Sequence, residues 1–327
     1  MNQTGTPPGG KCDFVDILGM PRARLEHLLA VAQRLKAQYR STGRNDPVAA
    51  GKTLAMIFEK PSLRTRVSFE VAMTHLGGAA IYITPGEIGL GTRESVPDAA
   101  RVLSGFCDAI MARTFSHDTI VQLARFSNRP VTNGLSDRSH PCQVMADLLT
   151  IREHFGTLSG LTLAYVGDGN NVARSLMEAC AVFGLKFRIA APVGYELHPS
   201  DVQTAAGIPG FDFQAGTDPT AAVRAADIIY TDTWVSMGQE NEKAQRMKIF
   251  TPYQINAQLI SAAPAHAVVM HCLPAYRGVE ITDEAMDFDR SIVFQQAENR
   301  LHFQKGLLAV QIGLPPDRAA ARSEQEF

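Results

Sequence analysis

Short, wholly apolar runs separated by helically spaced stretches fill most of this chain. Leu25, Leu28, Leu29, Ala32 and Leu35 recur at three- and four-residue spacing, which predicts one buried helix face. After a turn at Gly43 to Pro47, TLAMIF (Thr53 to Phe58) reads as a buried strand, and Val67 to Leu76 returns to helical spacing. AAIYIT, AIMAR and PVTN predict three further strands, with helical patterns at Val96 to Ser104 and Thr119 to Phe126 between them. A long helical pattern from about His140 to Phe155 stops at Gly156, and a second series begins. LTLAYV (Leu161 to Val166), FRIAAP, DIIYTD and AVVMHC predict strands, and Val172 to Phe183 a helix. SIVFQ reads as strand-like, and Ala297 to Ile312 as a closing helix. Strands that are apolar on both faces, alternating with helices, belong to parallel sheets covered on both sides. The expectation is therefore an α/β fold of two doubly wound domains, each a parallel sheet flanked by helices. The break falls near residues 156–160, and the closing helix is expected to pack back on the first domain.

Composition narrows the function without naming it. The 327 residues suit two domains and can bury a core without a metal or disulfide staple. Lys plus Arg number 31 against 33 Asp plus Glu, a net charge of -2 that argues against a dedicated nucleic-acid binder. No apolar run approaches the roughly 20 residues of a membrane helix, so no membrane association is expected. The start, MNQTGTPPGGKCDF, has no apolar core of a secretory signal. Cys12, Cys107, Cys142, Cys180 and Cys272 are odd in number and never form C-x-x-C, which reads as reduced thiols in a cytoplasmic protein.

Candidate chemistry collects where strands end. F-E-K-P-S-L-R-T-R (Phe58 to Arg66) places Ser62, Arg64, Thr65 and Arg66 at a strand-to-helix junction, where unpaired N–H groups and the helix dipole favour an anion. The bland alternative is an N-capping serine beside solvated arginines. Arg113 closes the AIMAR strand at the same sheet edge. H-P-C-Q (His140 to Gln143) offers a ring donor and an amide at the mouth of the long helix, with Pro141 suited to its first turn. V-G-D-G-N-N-V (Val166 to Val172) invites a dinucleotide reading, but Val172 stands where a third glycine is needed and no acid closes FRIAAP. Asn171 remains a donor for a small polar ligand. In Y-T-D-T-W-V-S-M-G (Tyr230 to Gly238), Asp232 suits an ammonium group and Ser236 with the next N–H a carboxylate, unless Asp232 only caps a helix. In M-H-C-L-P (Met270 to Pro274), Cys272 beside His271 is either an activated thiol or a buried small hydrophobe. A-E-N-R-L-H puts Arg300 near the expected start of the last helix.

In this order, S-L-R-T-R, H-P-C-Q, G-D-G-N-N, D-T-W-V-S-M-G, H-C-L-P and A-E-N-R-L-H closely resemble the ornithine carbamoyltransferase family, from about Phe14 to about Gly313. S-x-R-T-R with H-P-x-Q marks the wider carbamoyltransferase group, whereas Cys142, S-M-G and H-C-L-P look like the ornithine branch. The resemblance implies transfer of the carbamoyl group of carbamoyl phosphate to the δ-amine of L-ornithine, giving L-citrulline and phosphate. It implies a carbamoyl-phosphate-binding domain over residues 1–152 with the closing helix (297–327), and an ornithine-binding domain over 153–296. Ser62, Leu63, Arg64 and Thr65 would hold phosphate; Arg113 and His140, with Thr65, would polarise the carbonyl. Gln143, the carbonyls near Cys272 and Leu273, and Arg300 would hold the carbamoyl NH2. Asn171, Asp232, Ser236 and Met237 would bind the amino acid, with Cys272 the proton acceptor near the δ-amine. No metal or organic cofactor is implied, and a homotrimer or a multiple of trimers is.

The chemistry fits those residue types. Negative charge grows on the carbonyl oxygen and then on departing phosphate, so fixed positive donors there favour the transition state. The amine must be uncharged to attack, which predicts activity rising toward alkaline pH. Leu63 replaces a small or polar residue, with its N–H unaffected. In I-G-L-G-T-R-E-S (Ile88 to Ser95), Gly89 stands where many relatives carry a phosphate-binding Gln, and Arg93 is the nearest substitute. Carbamoylation of N-acetylornithine, putrescine or aspartate, or a non-catalytic relative that binds the ligands, are the competing readings.

Overall fold

The computed structural model describes residues 11–235 and 240–313, in two compact units. Of the described residues, the first unit comprises 11–16, Ala23–Cys142 and 301–313; the second comprises Ile17–Arg22, 143–235 and 240–300.

In chain order the elements of the first part are α1 (Arg22–Thr42), β1 (Thr53–Phe58), α2 (Leu63–His75), β2 (Ala79–Ile83) and α3 (Pro85–Ile88). There follow α4 (Val96–Phe106), β3 (Ala109–Arg113), α5 (His117–Phe126), β4 (Val131–Leu135) and α6 (Pro141–Phe155). The sheet is parallel with order β2-β1-β3-β4. β1 and β3 are buried at nearly every position, as their unbroken apolar sequences require. β1 pairs with β2 on one side and β3 on the other, so the strand order reverses between β1 and β3. Open parallel sheets bind ligands at the carboxyl ends of the strands at such a reversal. Here that edge carries Phe58 and Arg113, paired across the two strands. Ala55, Ile57, Ile110 and Ala112 pack against α4 and α5 through Ala99, Ala100, Ile120 and Leu123.

The closing segment completes the first unit's core, as expected. Phe303 packs on Phe14 with ring centroids 5.8 Å apart, and Gly306 lies so close to Ala32 that a methyl there would sit 2.7–2.8 Å from Ala32 backbone and Cβ atoms.

The second unit runs β5 (Thr162–Val166), α7 (Asn171–Phe183), β6 (Lys186–Ala190), α8 (Pro199–Ala206), β7 (Phe213–Gly216) and α9 (Pro219–Val223). It continues with β8 (Ile228–Thr231), α10 (Lys243–Phe250), α11 (Ala257–Ser261), β9 (Val268–His271), α12 (Asp283–Met286) and the first half of α13 (Val293–Leu308), whose residues from Leu301 belong to the first unit. Its sheet is parallel, β7-β6-β5-β8-β9, with the reversal between β5 and β8. Asn170 starts α7 by accepting from the N–H groups of Val172 and Ala173, and Gly184 ends it in the left-handed conformation.

Two segments depart from the sequence pattern. SIVFQ is not a strand: Ser291 makes a single bridge to Val269, and α13 begins at Val293. A short apolar run has no periodicity by which a buried helix start differs from a strand. In consequence Arg300 lies in the middle of α13 rather than near its start. β7 went unread because FQAG is a half-exposed edge strand with little apolar content.

Candidate functional site

The first unit gathers a cluster of candidate anion donors. Ser62 caps α2: its Oγ accepts from the Thr65 N–H at 3.3 Å and stands 3.1 Å from Thr65 Oγ1. Arg113, at the end of β3, reaches Thr65 Oγ1 with Nη1 at 3.5 Å and is only 6% exposed. Its backbone carbonyl accepts from the Glu59 N–H at 2.8 Å, locking the ends of β1 and β3 together. Ser62, Thr65 and Arg113 therefore meet at the sheet reversal. Leu63 places its N–H in the first turn of α2 while its side chain is 74% exposed. Arg64 is half-buried. Arg66 is used elsewhere: it pairs with Glu70 at 2.9 Å and lies over the Tyr82 ring, 4.0 Å from its centroid.

His140 is buried just before α6, beyond β4. The turn leading to it is tied down by Asn133, whose Nδ2 donates to Ser139 Oγ at 3.0 Å and whose carbonyl accepts from the Cys142 thiol at 3.4 Å. Arg93 donates to the Glu87 carbonyl within its own loop, where Gly89 adopts a left-handed φ of 56°.

The second unit builds its cluster at the ends of β5, β8 and β9. Asp232 follows β8, and both of its oxygens are engaged. Oδ1 accepts from the Thr233 N–H at 2.7 Å and the Cys272 thiol at 2.9 Å; Oδ2 accepts from Asn170 Nδ2 at 2.8 Å. All three donors are neutral. Burial, and then the Asp232 charge, push the Cys272 thiol well above its ordinary range, so it stands protonated and donates to the carboxylate. His271 does not activate it. That ring accepts the Leu273 N–H at Nδ1 (2.9 Å) and faces Glu280 Oε1 with Nε2 (3.1 Å), which assigns the proton to Nε2. The contact holds Leu273 at a φ of 57°, uncommon for a residue with a side chain, ahead of the cis Leu273–Pro274 bond.

Asp168, at the end of the β5 turn, is buried and raised by that burial, with Arg246 Nη1 2.8 Å away opposing the shift. Arg246 also binds the Trp234 carbonyl at 3.0 Å, anchoring the segment after β8. Ser236 and Met237 lie outside the described residues. Asn171 opens α7, half-buried, beside the capping Asn170.

Gln143 and Arg300 come together deep in this unit: Arg300 Nη1 donates to Gln143 Oε1 at 2.7 Å. Gln143 Nε2 donates in turn to Asp147 at 2.8 Å. Asn170 and Asp147 escaped the sequence reading, although each leaves a trace. An Asn directly before a helix is a cap signal, and an acid four residues beyond Gln143 shares its helix face. A cavity of about 370 Å³ between β6, β7 and α8, lined by Ile189, Leu197, Val202 and Phe213, contains none of the candidate residues. Among the described residues no helix is long and apolar enough to cross a membrane, and no group of three or more His, Cys, Asp or Glu is placed to hold a metal.

Two family models cover most of the chain. One, described as the aspartate/ornithine carbamoyltransferase carbamoyl-P binding domain, matches residues 12–153; the other, the Asp/Orn binding domain, matches 159–311. An ornithine carbamoyltransferase of Methanopyrus kandleri is 49% identical over 303 residues, 92% of this chain and 97% of that protein. One from Methanoculleus marisnigri is 50% identical over 91% of this chain and 96% of its own length. The structure of ornithine carbamoyltransferase from Pyrococcus furiosus superimposes with a TM-score of 0.89 at 46% identity, covering 93% of this chain and 98% of that one.

Proposed function

The chain belongs to the aspartate/ornithine carbamoyltransferase family, and from that premise we propose that it moves the carbamoyl group of carbamoyl phosphate to the δ-amine of L-ornithine, giving L-citrulline and phosphate. One observation carries the amino-acid side. Among the described residues, the partners of the Asp232 side chain are the Thr233 N–H, the Asn170 amide and the Cys272 thiol, all neutral, which leaves its charge to be met by a substrate ammonium group.

On the phosphate side, Ser62, Leu63, Arg64 and Thr65 receive the phosphoryl oxygens on backbone and side-chain donors at the start of α2. Arg113 and His140 face the carbonyl oxygen. As nitrogen attacks, charge moves onto that oxygen and then onto phosphate, and the guanidinium beside Thr65 stabilises both stages. Gln143 and Arg300, with the carbonyls of Cys272 and Leu273, take the carbamoyl NH2. Asn171, Ser236 and Met237 complete the α-amino and α-carboxylate contacts with Asp232. Cys272 meets the δ-amine. Because burial and the Asp232 charge keep the thiol protonated, Cys272 can accept the amine's proton only as it passes its own along the hydrogen bond to Asp232 Oδ1.

The reading places the protein in the cytoplasm, in arginine metabolism, as a homotrimer or a multiple of trimers. Leu63 and Val67, one helical turn apart on α2, and Ile81 on edge strand β2 are exposed apolar side chains that suit a subunit contact, which sedimentation reads directly.

The test is product formation from carbamoyl phosphate with L-ornithine, N-acetylornithine, putrescine and aspartate at equal concentration. Citrulline from ornithine alone is the expected result. Turnover with another amine instead refutes the assignment of Asp232, and no turnover with any amine refutes catalysis.

A further inference from the structure

The second unit buries a carboxylate to which the reaction above gives no part. Asp147, on α6, is fully buried. Its Oδ1 accepts from Gln143 Nε2 and from Gln296 Nε2, each at 2.8 Å, and its Oδ2 accepts from Tyr230 Oη at 2.9 Å. Gln296 Nε2 also lies 3.1 Å from Tyr230 Oη, and its Oε1 accepts the His271 N–H at 2.9 Å, one residue before Cys272. Arg300 donates to Gln143 Oε1 at 2.7 Å. Three elements, α6, β8 and α13, thus meet on one carboxylate, and strand β9 hangs from it through Gln296.

We propose that Asp147 is a positioning residue for the carbamoyl group, setting which way the Gln143 amide points and thereby where Arg300 sits. A glutamine amide is nearly symmetrical in shape but opposite in polarity at its two ends. An ionised carboxylate only accepts, so it draws the NH2 of Gln143 toward itself and turns Oε1 the other way. That oxygen is the end able to accept from Arg300 and from a carbamoyl N–H. The same rule applies at Gln296, whose oxygen is left for the His271 N–H. Asparagine in place of Asp147 keeps the volume but offers one acceptor and one donor, so both orientations of Gln143 find a partner. In the wrong one, an NH2 faces the carbamoyl NH2 and Gln143 no longer accepts from Arg300. A buried carboxylate is costly to keep, and packing alone does not require it.

The inference rests on Gln143 and Arg300 binding the carbamoyl group, so Gln143→Ala is measured first. It is expected to raise the KM for carbamoyl phosphate at saturating ornithine; an unchanged value overturns that reading itself. Given that rise, Asp147→Asn is expected to raise the same KM at least tenfold, with the ornithine KM within threefold of the parent. The double variant is expected to be no worse than Gln143→Ala alone. A purely structural role would lower the melting temperature while leaving the KM of the folded enzyme unchanged, and that result overturns the proposal. If Asp147→Asn does not fold, Gln296→Leu decides. It removes one of the two amides on Oδ1, and is expected to raise the carbamoyl phosphate KM at least threefold; no change refutes the positioning role.

Discussion

Replacing Gly169 with alanine is a single-methyl test of how the β5 turn is held. Gly169 donates its N–H to the Tyr195 carbonyl at 2.8 Å, so the turn is pressed against the segment after β6. A Cβ there would lie 2.5 Å from the Glu196 carbonyl carbon, 2.5 Å from Leu197 N and 2.7 Å from Glu196 O. All three are backbone atoms, which cannot rotate away. Restoring ordinary contact near 3.5 Å requires a retreat of about 1 Å. Overpacking of this kind costs about 1–3 kcal/mol, which for a unit of this size lowers Tm by roughly 2–12 °C. The next residue, Asn170, holds Asp232 at 2.8 Å and caps α7. A shift of about 1 Å breaks that bond to a charged group, worth about 1.5–3 kcal/mol, so the ornithine KM should rise at least about tenfold. Gly216→Ala is the control, since a methyl there meets nothing within 4 Å. Thermal melts and steady-state kinetics of both variants read the outcome. A Gly169→Ala protein with parental Tm and parental ornithine KM would refute the close-contact argument.

Three further outcomes follow from the same geometry. Arg113→Ala should lower turnover at least about tenfold by removing an oxyanion-side charge, as initial rates at saturating substrates will show, and near-normal turnover contradicts its placement. The ornithine kcat/KM should climb steadily from pH 6 to 9 as the δ-amine, with a lysine-like pKa near 10, loses its proton. Because the Cys272 thiol is held protonated, no second inflection near the ordinary thiol pKa is expected, and finding one means that the thiol titrates freely. Lys305 is fully buried, with Nζ 2.6 Å from Asn45 Oδ1, and burial lowers its pKa from 10.5 to about 8. The unfolded chain then holds more protons than the folded one between pH 8 and 10.5, so stability rises with pH across that window and the effect is constant below it. Relative to Lys305→Met, the parent should gain at most about 3 kcal/mol from pH 8 to 10.5 in denaturant melts. A difference that does not vary with pH would show that Lys305 keeps its normal pKa.

Local pattern alone located eight of the nine strands among the described residues, because each of them carries a short apolar run bounded by turns, whether it is buried on both faces or, like β2, lies at the sheet edge. It also placed the candidate residues at strand ends: Ser62, Arg113, Asp232 and Cys272 each lie at or just beyond a strand's carboxyl end, where side chains escape the core. Residue type was legible there too, since an anion needs Arg and helix N–H donors whatever surrounds them. The order of the strands was not legible, because pairing depends on contacts between distant segments. That order decides that Arg113 meets Thr65 at the reversal between β1 and β3, and that Asp232 meets Asn170 at the reversal between β5 and β8. The SIVFQ run failed as a strand because its burial comes from a helix start, and burial alone has no period. Asp147 looked like any helix acid, and Cys272 beside His271 suggested an activated thiol. Only packing reveals that the first is sealed beneath two glutamines and a tyrosine, while the second keeps its proton and donates a hydrogen bond to Asp232, leaving His271 to Glu280. The sequence by itself determined which elements form and which side chains can do chemistry, since both are set within a few neighbouring residues. The tertiary structure decided their partners and protonation, since these depend on burial and on charges brought close from far along the chain.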